Sequence, residues 1–335
     1  MDLLQRHGDH TAIVDTASGN AVQAVLAIAL PCRSCRGNRR RLTAIGPLAP
    51  KTADTGDGDI ELDQFFLEAT PDEEISLEMQ ALGELIRQHV ETHYQRGPVA
   101  ADANILSQSL VHVGISKGRS LDAQEVAALC LDPRTRQDAL QHVLLRVIFA
   151  SLDFHSRSEM SLLPISVATF LNEVPLPNNE PVGGTPGRRQ RPGQTEQHQS
   201  NSSSLALRQW RRLSAFLLHP DRDQRTPLPA DNATLVSKAR ALAAMLNTVL
   251  GLFTGLDPNS RQEQTRHLEA VVMECAKLGY VLFSHPSDWR FITEDPGEKG
   301  GIVVEAGLMK LSNRDGVPYS PPRRVVRPVV RRVSI

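Results

Sequence analysis

Residues 70–98 read TPDEEISLEMQALGELIRQHVETHYQRGP, and their pattern decides the fold class. Thr70 and Pro71 supply a capping residue and a first-turn proline. Asp72 and Glu73 follow, placing acids at the positive end of a helix dipole. Ile75, Met79, Leu82, Ile86, Val90 and His93 then recur three or four residues apart. That spacing is one apolar face of an α-helix, and Gly97-Pro98 ends it.

The same signals recur outward along the chain. Asp102 caps a short helix through residue 110, and Asp122 opens another through residue 131. Asp132-Pro133 starts a further helix whose later half, residues 143–152, is apolar on nearly every side, as a central buried helix requires. Residues 160–171 form another, with Pro164 in its first turn. Residues 205–218, 231–253 and 258–278 complete the helices, the last opened by Asp257-Pro258 and closed by Gly279. Beyond it the segments 289–292, 302–304, 308–311 and 325–330 are short and β-prone, and Asn313-Arg314-Asp315-Gly316 supplies turn chemistry between them.

Two stretches break the pattern. Residues 31–60 mix Pro, Gly, Arg, Asp and Thr without a period. Residues 172–204 contain Val174, Leu176 and Val182 as their only large aliphatics and end in a Gln/Ser/Asn run. Such segments bury too little to offset ordering entropy. The expected fold is mainly α: an irregular helical bundle with a small β-like C-terminal extension and a long disordered internal loop. Residues 1–60 are expected to be a poorly ordered N-terminal arm. Residues 61–290 then form a helical domain interrupted by the linker 172–204, and residues 291–335 carry short β segments and a basic tail.

Composition narrows the function classes. Of 335 residues, 37 are Lys or Arg and 38 Asp or Glu, a net charge of -1 that excludes a globally basic nucleic-acid binder. Aromatics are 4%, so Leu, Val, Ala and Ile must fill the core, which suits helix-on-helix packing. Cys32, Cys35, Cys130 and Cys275 give no disulfide framework, and a reducing compartment is the default. The N-terminus lacks a secretory pattern, and AVQAVLAIAL at residues 21–30 is about half the ~20 residues of a membrane span. Five arginines between residues 33 and 41 flank it, so a short anchor at residues 21–41 stands as an alternative.

Several stretches resemble known chemistry. PCRSCRGNRRRL at residues 31–42 resembles half of the fungal binuclear zinc-cluster motif, but Leu42 stands where a third Cys belongs and no second Cys-x-x-Cys exists. Gly114-Ile115-Ser116-Lys117-Gly118 matches the nucleophile-elbow pattern of α/β-hydrolases, which needs a parallel sheet. The plainer reading puts Gly114 just past a helix end. His89 and His93, four apart, share a helix face as a metal pair does. Val90 stands where a zincin has Glu, and no third ligand is evident. LALRQWRRLSAFLLHPDRD at residues 205–223 resembles the J-domain of DnaJ-type co-chaperones, which implies a basic face of Arg208, Arg211 and Arg212 and a chaperone contact at His219-Pro220-Asp221. A helix stop at Pro220 is the alternative. The last sixteen residues hold Arg323, Arg324, Arg327, Arg331 and Arg332 and no acid, either an acidic-partner surface or an edge strand with charges outward. Pro321-Pro322 is expected to separate this tail from the body, so that its deletion spares the fold.

AALCLDPRTRQDALQHVLLRVIFASLDF, HLEAVVMECAKLGYVLFSHPSDWRF and GLMKLSNRDG followed by PYSPP resemble a group of uncharacterised filamentous-fungal proteins. The resemblance spans most of residues 62–330. It implies a fungal source and a helical body, and no activity.

The reading that remains is a non-catalytic helical protein acting through protein–protein interaction or regulation. Alternatives are an enzyme or enzyme-accessory protein of fungal specialised metabolism, or a membrane-tethered protein. A deep pocket gathering two or more ionisable side chains favours the enzyme. The candidate interaction residues are the five tail arginines, Arg208, Arg211, Arg212 and His219. The expected partner is an acidic protein, with no specific nucleic-acid binding, no cofactor and membrane association only as an alternative. The expected location is intracellular, cytoplasmic or nuclear.

Overall fold

In the computed structural model, α1 (Asp72–His93) carries the face read from sequence: Ile75, Met79, Leu82, Ile86 and Val90 are all buried. Residues 62–115, 121–174, 195–294 and 301–332 are described, all within one contact unit, residues 60–335. The expectations for residues 1–60, the Cys32–Cys35 pair, the 21–41 stretch, Ser116 and the middle of the linker lie outside the described residues.

Eight α-helices follow one another among the described residues. After α1 come α2 (Ala103–His112), α3 (Ala123–Leu131), α4 (Arg136–Leu152) and α5 (Ile165–Glu173). Then come α6 (Thr195–Leu218), α7 (Asn232–Leu250) and α8 (Pro258–Ser284). Asp102, Asp122, Asp231 and Asp257 each cap a helix through the side chain, and Asp122 with Glu125 forms a full capping box. Gly114 closes α2 with a φ of 96°, a conformation open to glycine at little cost, and Ile115 N–H returns to Leu110 O at 2.9 Å. The hydrolase-elbow pattern thus starts at a helix C-terminus, and the strands among the described residues pair antiparallel rather than in the parallel sheet it needs.

α4 is the central helix. Thirteen of its 17 residues are buried, so it has neighbours on all sides: α1, α3, α8 and strand β2. Two of its buried polar side chains meet that strand. Gln141 Nε2 donates to Val304 O at 2.8 Å, and His142 Nδ1 donates to Val303 O at 2.9 Å.

The C-terminal strands are β1 (Trp289–Ile292), β2 (Gly301–Glu305), β3 (Gly307–Ser312), β4 (Pro318–Val326) and β5 (Val329–Arg332). They form two antiparallel sheets, β1-β3-β4 and β2-β5. Asn313 to Gly316 make the β3–β4 turn, with Gly316 at φ 85°.

Four expectations need correction. The tail is not separated from the body: Pro321 and Pro322 lie inside β4, and Val326, Ile302, Val303 and Leu308 belong to the main core. Proline is tolerated there because β4 is an edge strand. The linker is shorter than residues 172–204, since α5 runs to Glu173 and α6 begins at Thr195. Once residues such as Ala215 anchor the later half of α6, each added turn propagates at little cost, even through Ser and Asn. The first helix starts at Asp72 with Pro71 at its cap and no side-chain cap bond, so Thr70 is not the cap. The fourth starts at Arg136, because Asp132 accepts from Arg134 N–H at 2.9 Å and holds residues 132–135 in a turn.

Candidate metal centre

The last turn of α1 carries His89 and His93 on one face. α8 packs against α1 and brings His267 to the same place. The His89 and His267 rings stack at 5.0 Å with 9° between planes, and His93 lies 5.0 and 5.1 Å from them. One ring nitrogen from each lies within 4.8 Å of the other two. His89 Nδ1 and His267 Nδ1 are 2.9 Å apart, so one carries a proton and the other a lone pair. His89 is fully buried, and His93 and His267 are half-buried.

A polar network holds the buried imidazole. His89 Nε2 is 3.0 Å from the Tyr94 hydroxyl, which accepts from Gln264 Nε2 at 2.9 Å. Gln264 also donates to Asn247 Oδ1 at 3.0 Å, and Asn247 Nδ2 donates to Thr265 Oγ1 at 3.1 Å. The chain following α1 is fixed by Arg136, buried at the start of α4. Its guanidinium donates to Gln95 O at 3.1 Å, to Gly97 O, to Cys130 O and to Leu131 O. Arg136 of α4 thus fixes the chain immediately after Tyr94, and Tyr94 bonds His89.

Electrostatics keep the three rings neutral. Burial pushes His89 well below the usual histidine range, and the neighbouring His93 and His267 push the same way. Burial also lowers His93 and His267, with Glu263 opposing in both. Neutral imidazole is the ligating form. Three nitrogens at this spacing suit a borderline ion such as Zn2+, whose Zn–N distance is ~2.0–2.1 Å, and leave a fourth tetrahedral position for water. With the ion on His89 Nδ1, Nε2 carries the proton and Tyr94 oxygen accepts it, the usual outer support of a metal-bound imidazole. The sequence shows only the His89–His93 pair, because His267 stands 178 residues from His89.

The sequence-derived interaction residues separate into two groups. Arg323, Arg324, Arg327, Arg331 and Arg332 are all exposed, on β4, on β5 and, for Arg327, between them. Only Arg323 approaches a described acid, Asp72, at 3.8 Å. The arginines of α6 do not form an exposed basic face. Arg211 is buried and pairs with Asp288 at 2.8 Å while donating to Phe283 O at 2.5 Å and His285 O at 2.7 Å. Arg208 completes the pair on Asp288 at 3.2 Å. Arg212 is buried over the Phe66 ring at 4.9 Å, and none of its three guanidinium nitrogens has a partner. His219 is buried too, accepting from Asp221 N–H at 3.1 Å and lying 3.2 Å from Thr226 Oγ1. Of the J-domain resemblance, Arg211, Arg212 and His219 are turned inward, while Pro220 and Asp221 are exposed.

Comparison of the chain with protein-family models, with curated proteins and with solved structures finds no match. No helix among the described residues is long and apolar enough to cross a membrane.

Acid should weaken the fold. Burial holds His142 and His285 down at about 4, and His89 well below its usual value. In the unfolded chain these rings titrate near ~6.5. Between pH ~6.5 and ~4 the unfolded state therefore binds more protons, and stability falls as pH falls. The loss is absent above pH ~6.5 and grows to about 3 kcal/mol each for His142 and His285 below pH ~4. Urea midpoints at pH 7.5 and pH 4.5 measure it; a midpoint that holds or rises on acidification would contradict it.

Proposed function

We propose that the protein is a non-catalytic regulatory protein that takes up one borderline transition-metal ion, Zn2+ first, at His89, His93 and His267. The observation that carries this reading is the convergence of three imidazoles from two helices, all biased toward the neutral form. An ion here joins the end of α1 to the middle of α8, so metal occupancy becomes folding stability. At an ion concentration of 100 times Kd the gain is ~2.7 kcal/mol. Thermal melting of the full chain with and without ZnCl2 tests it. The wild type should melt several degrees higher with zinc, and His93→Ala should lose that gain. An equal zinc gain in His93→Ala would contradict the reading.

A second reading, an acidic protein partner, is favoured by the five exposed arginines of β4, β5 and the link between them. Such binding weakens with salt, as the Debye length falls from ~10 Å at 0.1 M to ~3 Å at 1 M. It should also weaken in Arg331→Glu/Arg332→Glu, whose side chains lie outside the core.

A further inference from the structure

A second feature lies away from the histidines. A cleft of about 390 Å³ opens where the ends of α2 and α4, the 153–158 loop and the end of β1 meet. That volume falls in the range of small-ligand sites. Its lining includes two aromatic rings, Phe149 and Phe291, with centroids 4.8 Å apart and tilted by 35°. It also includes four ionisable side chains, Arg146, Asp153, Arg157 and Glu294.

The four charges are not equally spent. Asp153 accepts from His155 N–H at 2.8 Å, and burial pushes its carboxyl up, so its negative charge is weakened. Glu294 is engaged by Arg146 Nη2 at 2.9 Å. On the cationic side capacity is left over. Arg146 Nη1 is buried without a partner. Arg157 is exposed and pairs with no described residue. A mostly buried guanidinium with an unused donor is costly, and an oxyanion is the group that satisfies it best.

We propose that this cleft binds a small organic anion with an aromatic or branched apolar body. Arg146 and Arg157 meet its carboxylate, and Phe149 and Phe291 cover its body. This inference is independent of the metal site, since it shares no residue with the three histidines.

Three isosteric probes test it on the full-length chain: benzoate, benzyl alcohol and benzylamine, with binding read by calorimetry and saturation-transfer NMR. Benzoate should bind saturably, with the alcohol and the amine weaker by about tenfold or more. Arg157→Gln should weaken benzoate by about tenfold and leave benzyl alcohol unchanged. Arg157 makes no described contact, so this variant keeps the fold; Arg146→Gln is the stronger second variant. The proposal fails if benzoate shows no saturable binding up to about 10 mM, the weak edge of specific affinity. It fails if benzylamine binds better than benzoate, or if Arg157→Gln changes nothing. Inorganic phosphate that displaces benzoate at equal concentration would overturn the requirement for an apolar body.

Discussion

Deleting residues 320–335 is expected to cost at least about 5 kcal/mol, enough to leave the chain largely unfolded at 37 °C. The cut removes β5 and most of β4. It strips Val326 from the core and uncovers Leu308, Ile302 and Val303, all of them fully buried now. Burying one such side chain is worth ~1.5–3 kcal/mol. It also leaves β2 and β3 without partners on one side, which exposes their backbone groups. The five arginines on this segment face water, so their charge contributes little to the loss. Replacing all five by Gln should leave melting nearly unchanged. Circular dichroism melts of the truncated and the five-Gln chains separate the two contributions. A truncated chain that melts like the wild type would mean that these valines are not packed.

Arg211 and Arg212, adjacent in sequence and both buried, should respond in opposite ways. Arg211→Ala is expected to cost about 3–5 kcal/mol, the scale for breaking a buried ion pair. It strands Asp288 and leaves unpaired the carbonyls of Phe283 and His285, at the C-terminal end of α8, and of Ser287 just beyond it. Arg208 stays on Asp288 and softens the loss only in part. Arg212→Met should be neutral or stabilising by about 1–4 kcal/mol, because a buried cation without a partner is replaced by an apolar side chain of similar length. Its stacking on Phe66 is kept by the thioether. Urea denaturation of both variants decides it. A large loss in Arg212→Met would show that its guanidinium has a counter-ion in solution.

These two arginines also show where the sequence stops being legible. LRQWRRL reads as a basic helical face because charge alone places arginines outside. Arg211 is drawn inside by Asp288 and by carbonyls more than seventy residues away, and nothing near Arg211 announces them. The helices themselves were readable. The α1 face, the Asp caps of α2, α3, α7 and α8, and the apolar α4 follow from local spacing, which is a local property. The strands were readable in place but not in partnership. Pairing of β2 with β5 is set by the core they jointly cover. The three-histidine cluster follows the same rule. His89 and His93 are a local pair, while His267 joins them only through the packing of α8 on α1. In a sequence, Glu263 and His267 one turn apart on an otherwise polar start of a helix look like a solvated face.

Calorimetric titration of the metal-free full-length chain with ZnCl2 at pH 7.5, beside His267→Ala, tests the three-histidine centre most directly. His267 is half-buried at the helix surface, so the alanine variant should fold. The expected result is one ion bound per chain at this site, with affinity lowered by about 100-fold or more in the variant and an unchanged circular dichroism spectrum. Zinc binding that is absent in the wild type, or that persists undiminished in His267→Ala, would contradict it.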